Sequence, residues 1–111
     1  MFYHCTFDNA SLVNCNLQNA LFSNCSLYNV TAEEAELQNA RFFSCNLAKA
    51  FFTHSNFKEA VLKGCQTTSS SFMNCCIQNI ALEETDLPND KMFDSELDWI
   101  QNDIPDFEPN M

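Results

Sequence analysis

Cysteines are the residues of this sequence whose type and spacing could do chemistry. Cys5, Cys25, Cys45 and Cys65 follow one another at intervals of 20 residues. In a structure that repeats every 20 residues these thiols would stack in one column, about 5 Å apart, where they could bind a metal or undergo redox reactions. Cysteine is also small and readily buried, and here it alternates with alanine and serine. The sequence therefore favours thiols that pack in a core over metal or redox chemistry.

Other residue types that form active sites are scattered along the chain. It has no Cys-x-x-Cys pair, and the adjacent Cys75 and Cys76 do not have a zinc-ligand spacing. His4 and His54 are 50 residues apart, on opposite sides of the repeat described below. There is no glycine-rich phosphate loop and no nucleophile elbow. We therefore expect no enzyme activity, with no catalytic residue, no metal site and no cofactor, and we expect Cys76, alone at an outward position, to be the most reactive thiol.

A five-residue repeat defines the elements that would position these side chains. From Phe2 to Leu97, every fifth residue is large and apolar at eighteen of twenty positions, with Ala32 and Thr67 as the exceptions. Two residues before these positions, from residue 5 to 75, runs a series of Ala, Cys or Ser in which Val30 is the one larger member. A period of five fits neither a helix nor a strand. It predicts a coil of four five-residue sides, each turning one large and one small side chain inward, with hydrogen bonds between coils.

With 20 residues per coil, the large residues form four inward columns. The columns are Phe2, Phe22, Phe42, Leu62 and Leu82 on the first side, Phe7, Leu27, Leu47, Thr67 and Leu87 on the second, Leu12, Ala32, Phe52 and Phe72 on the third, and Leu17, Leu37, Phe57 and Ile77 on the fourth. Val30 is predicted to fill the space left at Ala32. Asparagine recurs two residues after the large positions and is predicted to form left-handed corners. The polar run at residues 66–71 is expected to loosen the coil.

These features resemble those of the pentapeptide-repeat family, whose motif is Ala, then Asp or Asn, then Leu or Phe, then two variable residues. The segments that carry it are Ala10-Ser11-Leu12, Cys15-Asn16-Leu17, Ala35-Glu36-Leu37, Cys45-Asn46-Leu47 and Ser55-Asn56-Phe57. The resemblance covers residues 1 to about 87 and implies a right-handed quadrilateral β-helix. It also implies a choice of functions, because some members are domains of bacterial effectors and others are DNA mimics that protect gyrase from quinolones and dimerise through C-terminal elements.

The predicted fold is accordingly all-β: a right-handed quadrilateral β-helix solenoid of about four to five coils, 20 residues per coil, with a short C-terminal capping helix. Residues 1–87 form the β-helix, and residues 88–111 form an acidic capping helix and tail. The stop at Leu87-Pro88-Asn89-Asp90 and the helical spacing of the apolar residues that follow favour this helix over a fifth coil. The chain starts with Phe2 already at a core position, so the first coil is expected to lack a cap and to pair with a second copy as a homodimer, or to continue a longer protein.

The charge of the chain is concentrated at its C-terminal end. The formal net charge is −10, but residues 1–82 hold four Lys or Arg against five Asp or Glu. Phosphate-like carboxylates along the coils are therefore missing, which argues against DNA mimicry, and the acidity excludes direct nucleic acid binding. No apolar run is long enough to span a bilayer and no signal peptide is evident. We expect a cytoplasmic, bacterial protein, with a secreted effector as the alternative.

Two surfaces are predicted to bind a protein partner. The first is an apolar patch on the first side, formed by Tyr3, Leu21, Phe43 and Val61, with Arg41 and Lys63 between them. A thinner patch of Val13, Phe51 and Met73 lies on the opposite side. The second surface is acidic and contains Glu83, Glu84, Asp86, Asp90, Asp94, Glu96 and Asp98. The sequence thus favours a non-enzymatic scaffold or effector-type interaction module, with a gyrase-binding DNA mimic as the alternative.

Overall fold

The chain folds as a right-handed quadrilateral β-helix, which has the four-sided coil that the five-residue period predicts and the form that the family resemblance implies. The computed structural model describes residues 1–87. Its strands are β1 (Phe2–Tyr3), β2 (Leu21–Ser23), β3 (Arg41–Phe43), β4 (Val61–Lys63) and β5 (Ala81–Glu83). They form one parallel sheet in the order β1-β2-β3-β4-β5, on the first side of the coil. The described residues contain no helix, and none of their segments could cross a membrane as one.

A constant register of 20 residues stacks the coils. Phe22 pairs with Phe2 on one side and with Phe42 on the other, and isolated parallel bridges join residues 20 apart on the other three sides. Backbone bonds run both ways between coils, such as Ser26 N–H to the Cys5 carbonyl at 2.9 Å and Leu27 N–H to the Asn46 carbonyl at 2.7 Å. Each coil therefore satisfies the backbone groups of the next.

The four inward columns form the core. Phe22 stacks on Phe42 with ring centroids 4.8 Å apart and planes within 1°, and Phe52 stacks on Phe72 at 5.1 Å. Phe57 packs edge-on against Phe52, at 5.1 Å and 82°. The interior from coil two to coil four excludes water, since Phe42, Phe57 and Leu62 are each 0% exposed. In the first coil the corresponding residues, such as Phe2 and Leu17, are half-buried.

Left-handed backbone makes the corners. Every fifth residue from position 4 to position 84 has a positive φ, between 51° and 66°. Eight of these corners are the predicted asparagines, and Gly64, the single glycine of the chain, forms another at φ 65°. Asparagine tolerates this conformation better than other L-residues do, because its short polar side chain bonds locally. Several of the remaining corners, such as Glu34, Lys49 and Glu59, hold residue types that are strained there.

Replacing Glu34 by asparagine should therefore stabilise the fold by about 0.5–1 kcal/mol, by relieving strain at φ 53°. Glu33→Asn is the matched control, because it removes the same charge from an exposed neighbour of ordinary φ. That control should change stability by less than about 0.5 kcal/mol. Urea unfolding of the three proteins measures both effects, and equal stabilities for the two variants would contradict the corner explanation.

The polar run at residues 66–71 does not loosen the coil, contrary to expectation. Its bridges to Asn46 and Phe51 keep the register, and Ser70 and Ser71 are buried. Thr67 occupies a large inward position, and its hydroxyl donates to the Asp86 carbonyl. The Ser70 hydroxyl donates to the Thr67 carbonyl at 2.7 Å. The polar side chains thus bond to the backbone of their own and the next coil, which is why the core accepts them.

A fifth coil begins within the described residues. β5 pairs with β4, and the Thr85 hydroxyl accepts a hydrogen bond from the Cys65 N–H at 2.9 Å. Ile80 and Thr85, which depart from the small-residue series, are both buried in register. The predicted capping helix and tail at residues 88–111 lie outside the described residues.

Candidate functional site

Two kinds of corner alternate around the second and third coils, and this alternation positions the cysteines. After the second and fourth sides, the corner is closed by a bond within the turn, such as Ala40 N–H to the Leu37 carbonyl at 3.1 Å. After the first side, a thiol of the following coil bonds instead to the carbonyl of the large residue. The Cys45 thiol donates to the Phe22 carbonyl and the Cys65 thiol to the Phe42 carbonyl, each at 3.3 Å.

A hydroxyl plays the same part after the third side. The Ser55 hydroxyl donates to the Ala32 carbonyl at 2.6 Å and accepts the Ala35 N–H at 3.1 Å. The side chain thus replaces a turn bond in the preceding coil. Alanine cannot make this bond, and where it occupies the same column, at Ala35, the corner of the coil before it is closed instead by a bond from Cys15 N–H to the Leu12 carbonyl at 3.2 Å. Cysteine thus alternates with alanine and serine in this column, but alanine does not make the same contacts. The signal was present in the sequence, since six of the seven cysteines fall at small positions ten residues apart or at multiples of ten.

The thiol column, defined as Cys5, Cys25, Cys45 and Cys65, lies beneath a groove that runs along the first corner. This corner groove has a volume of about 480 Å³, and its walls include His4, Asn24 and Ser44 on one side and Ser26 and Asn46 on the other. Its floor includes Cys5, which is half-buried, and Cys25 and Cys45, which are buried. Among the described residues, His, Cys, Asp and Glu side chains nowhere gather in a metal-binding group of three or more.

The thiols differ in acidity. The Cys45 side chain, one coil away, lowers the pKa of Cys65 to about 7 against the opposing effect of burial. The same neighbouring contact, reinforced by burial, raises the pKa of Cys45. Cys75 lies in another column, and burial raises its pKa to about 12. Cys75 therefore stays protonated at all physiological pH values.

Cys76 should consequently react with a maleimide about a hundredfold faster than Cys75 near neutral pH. Cys76 is half-buried in the outward bridge to Asn56, whereas Cys75 is 1% exposed and holds its proton until pH approaches 12. Mass spectrometry of tryptic peptides from Cys75→Ser and Cys76→Ser variants gives the two rates separately. Similar rates would show that Cys75 is not buried as described.

The first-side face, defined as Tyr3, Leu21, Phe43, Val61, Arg41 and Lys63, lies on the outer surface of the sheet. The register places Leu21, Arg41 and Val61 in one row and Tyr3, Phe43 and Lys63 in the row beside it. The four apolar side chains therefore alternate between rows and make a zigzag stripe across β1 to β4. Tyr3 is 55% exposed, while Leu21, Phe43 and Val61 are half-buried.

A pocket of about 300 Å³ adjoins this face, lined by Phe43, Ser44, Lys63, Gly64 and Glu84. Gly64 leaves the pocket open because it lacks a side chain at a corner. Lys63 forms a solvent-exposed ion pair with Glu83 at 3.7 Å, so one cation of the face is already partly compensated. The pocket was not predicted from the sequence, because it depends on which corner residues stack on one another.

The predicted acidic surface is only partly described. Glu83 lies in β5, Glu84 is a corner residue at φ 51°, and Asp86 is exposed. Asp90, Asp94, Glu96 and Asp98 lie outside the described residues. On the opposite side of the coil Phe51 is 49% exposed, more than any apolar residue of the first-side face except Tyr3.

Two family models match parts of the chain. Residues 2–35 match the family model of pentapeptide repeats (8 copies), and residues 26–101 match that of the SV2A/B/C luminal domain. No curated protein matches the chain. Solved structures that resemble it include a pentapeptide repeat protein from the Arabidopsis thaliana thylakoid lumen, at 12% identity, with 87% of this chain and 84% of that chain covered and a TM-score of 0.42.

Two further structures resemble the chain more distantly. The pentapeptide repeat protein Rfr23 from the cyanobacterium Cyanothece 51142 is 18% identical over 77% of this chain and 82% of its own, with a TM-score of 0.36. QnrB1, a plasmid-mediated fluoroquinolone resistance protein, is 14% identical over 86% of this chain and 79% of its own, with a TM-score of 0.26. At these identities the likeness concerns the fold alone.

Proposed function

The chain belongs to the pentapeptide-repeat family, and through residues 26–101 to the family of the SV2A/B/C luminal domain; from this membership we propose that it is a non-enzymatic scaffold that binds a protein partner through the first-side face. The interior of the β-helix is filled by its own side chains, so activity must reside on the surface. The observation that supports binding is the zigzag stripe of four apolar side chains, next to a pocket that a partner side chain could enter.

The charges of the face define the chemistry of the partner. Arg41 is exposed beside the stripe, and Lys63 carries only the weak ion pair to Glu83. A complementary surface would present acidic groups opposite these cations and an apolar or aromatic side chain for the pocket beside Phe43. The proposed partner is therefore a protein segment with mixed acidic and apolar character.

Substitution of Phe43 by glutamate should weaken partner binding at least about tenfold, because it places a charge in the apolar stripe. Phe51→Glu is the matched control, since it makes the same change at a more exposed phenylalanine on the opposite side. Quantitative pull-down with purified protein, together with sedimentation for self-association, measures both. The Phe43 assignment fails if the two variants retain partners equally well.

Gly64→Asn provides a second test that spares the stripe. A side chain at Gly64 would meet the Ser44 hydroxyl at 3.7 Å and a Glu84 oxygen at 3.9 Å, which are ordinary contacts, and φ 65° suits asparagine. The variant should fold normally and fill the pocket. We expect a loss of binding similar in direction to that of Phe43→Glu, and unchanged binding would remove the pocket from the proposal.

The alternative function is a DNA mimic that binds gyrase. The described coils carry eight Asp or Glu and four Lys or Arg, three of the acids at residues 83–86, so carboxylates do not follow the coils at phosphate-like intervals. A supercoiling assay separates the two functions. Relief of quinolone poisoning of gyrase, or its inhibition at low micromolar protein, would replace the scaffold proposal.

We also propose that the protein resides in a reducing compartment such as the cytoplasm, a location that suits seven unpaired cysteines. An oxidising compartment would expose Cys5, Cys15 and Cys76, which are half-buried, to disulfide exchange. Alkylation of thiols at the moment of cell lysis should trap all seven in reduced form. Recovery of the protein with mixed or intermolecular disulfides would contradict this location.

A further inference from the structure

The thiol column repeats its contacts from the second coil onwards, and in the first coil the Cys5 thiol donates to the Tyr3 carbonyl at 3.3 Å. Cys25, Cys45 and Cys65 donate to carbonyls 23 residues earlier at 3.2–3.3 Å, so their side chains have the same orientation. Successive sulfurs are therefore displaced by about one coil, for which the stacked Phe22 and Phe42 rings give 4.8 Å. The column is a row of parallel thiols that opens at several points onto surface grooves.

This spacing decides which covalent chemistry the thiols can do. A disulfide needs Cβ atoms about 3.5–4.5 Å apart and sulfurs about 2.05 Å apart, so parallel side chains at the coil spacing would have to converge. If the sulfurs keep the 4.8 Å spacing of the stacked rings, an ion midway between two of them would lie about 2.4 Å from each, close to the zinc–thiolate distance of about 2.3 Å. The geometry thus favours a bridging ion over a disulfide.

The number of ligands selects the ion. Each gap in the column offers two sulfurs, and the described residues bring no third His, Cys, Asp or Glu to complete a larger group. Zinc in structural sites takes four ligands, whereas soft monovalent copper accepts two thiolates in line. We propose that the thiol column binds Cu(I), with each ion held in line between thiolates of successive coils, at Cys5–Cys25 and at Cys45–Cys65.

Binding exchanges protons for the ion. Each Cu⁺ and two thiols give a linear S–Cu–S unit of charge −1 and two H⁺, with no change of oxidation state. The thiol bonds to the Phe22 and Phe42 carbonyls are lost when the protons leave. Because each bound ion displaces two thiol protons, affinity should decrease as the pH falls.

Serine variants test the proposal without removing the backbone contacts. Ser55 shows that a hydroxyl makes the same carbonyl bond, at 2.6 Å, while serine is a poor ligand for Cu(I). The double variant Cys25→Ser/Cys65→Ser leaves no two neighbouring thiols in the column, whereas Cys15→Ser/Cys75→Ser leaves the column intact. Both variants retain five cysteines, so they differ in adjacency and not in thiol number.

Anaerobic titration with Cu(I) against a chromogenic Cu(I) chelator measures the bound copper. We expect Cys15→Ser/Cys75→Ser to bind as much copper as the unchanged protein. Cys45→Ser, which keeps the Cys5–Cys25 pair, should bind half as much. The affinity for copper should fall at least about tenfold in Cys25→Ser/Cys65→Ser. X-ray absorption at the copper edge should show two sulfur neighbours. Equal binding by the two double variants, or three or more sulfur neighbours, would overturn the proposal, and circular dichroism confirms that each variant is folded.

Discussion

Replacement of Phe42 by alanine is expected to lower the free energy of unfolding by about 4 kcal/mol. Phe42 is 0% exposed and stacks on Phe22 with ring centroids 4.8 Å apart, and its ring also approaches that of Phe57 at 6.5 Å. Alanine would leave a cavity in the middle coil, where backbone bonds to the coils on both sides hold the walls apart. Such a site cannot collapse to fill the space, so the cost should lie in the upper part of the usual range.

Phe51→Ala is the control for this prediction. Phe51 is 49% exposed, one residue before the buried Phe52, and its removal should change stability by less than about 0.5 kcal/mol. Urea unfolding monitored by circular dichroism measures both variants. If Phe42→Ala lost no more stability than Phe51→Ala, the first column would not be the continuous core described above.

Substitutions at Val30 and Ala32 are expected to be coupled, because their effects on the free energy of unfolding should not add. Val30 is the one oversized residue of the small series and Ala32 replaces a large one, and both are 0% exposed. The turn bond from Val30 N–H to the Leu27 carbonyl is 3.3 Å, longer than the 2.9 Å bond at Ala60, as expected for a larger side chain at a tight corner. We expect Val30→Ala to cost about 2 kcal/mol and Ala32→Leu alone to cost about 1–3 kcal/mol through overpacking.

The double variant Val30→Ala/Ala32→Leu should recover most of this loss, because it restores the small–large order found on the other sides. A double-mutant cycle from urea unfolding should give an interaction energy of at least about 2 kcal/mol. Ala40→Val, which enlarges a small position beside a normal large residue, serves as the control and should not be rescued by Ala32→Leu. Strictly additive costs would show that Val30 does not fill the space at Ala32.

The columns and corners could be predicted because each depends on one residue type at one spacing. A large apolar residue every five positions fixes which side chains stack, and the Asn29 and Asn39 corners follow from the conformations that asparagine tolerates. The alternation of corners was not predicted. It depends on a bond between side chain and backbone of different coils, such as that from Cys45 to Phe22, which the composition of a single repeat does not contain.

The candidate surfaces, too, could be predicted from the sequence only as far as the register of the coils. The register needed to bring Tyr3, Leu21, Phe43 and Val61 to one face follows from the 20-residue period. Their partial burial does not, since it depends on how closely neighbouring outward side chains pack. The pocket beside Phe43 likewise requires Gly64 to stand between Ser44 and Glu84, a relation between three coils.

The strict register also determines which insertions and deletions the fold would tolerate. Removing residues 24–43 would join Ser23 to Ser44, which has the same φ of 56° as the lost Asn24, so the shortened chain would continue as a regular coil. Removing five residues would instead rotate all that follows by one side and exchange the two kinds of corner. Duplication or loss of whole coils is thus the tolerated change. The β-helix can therefore lengthen or shorten along its axis in steps of about 4.8 Å.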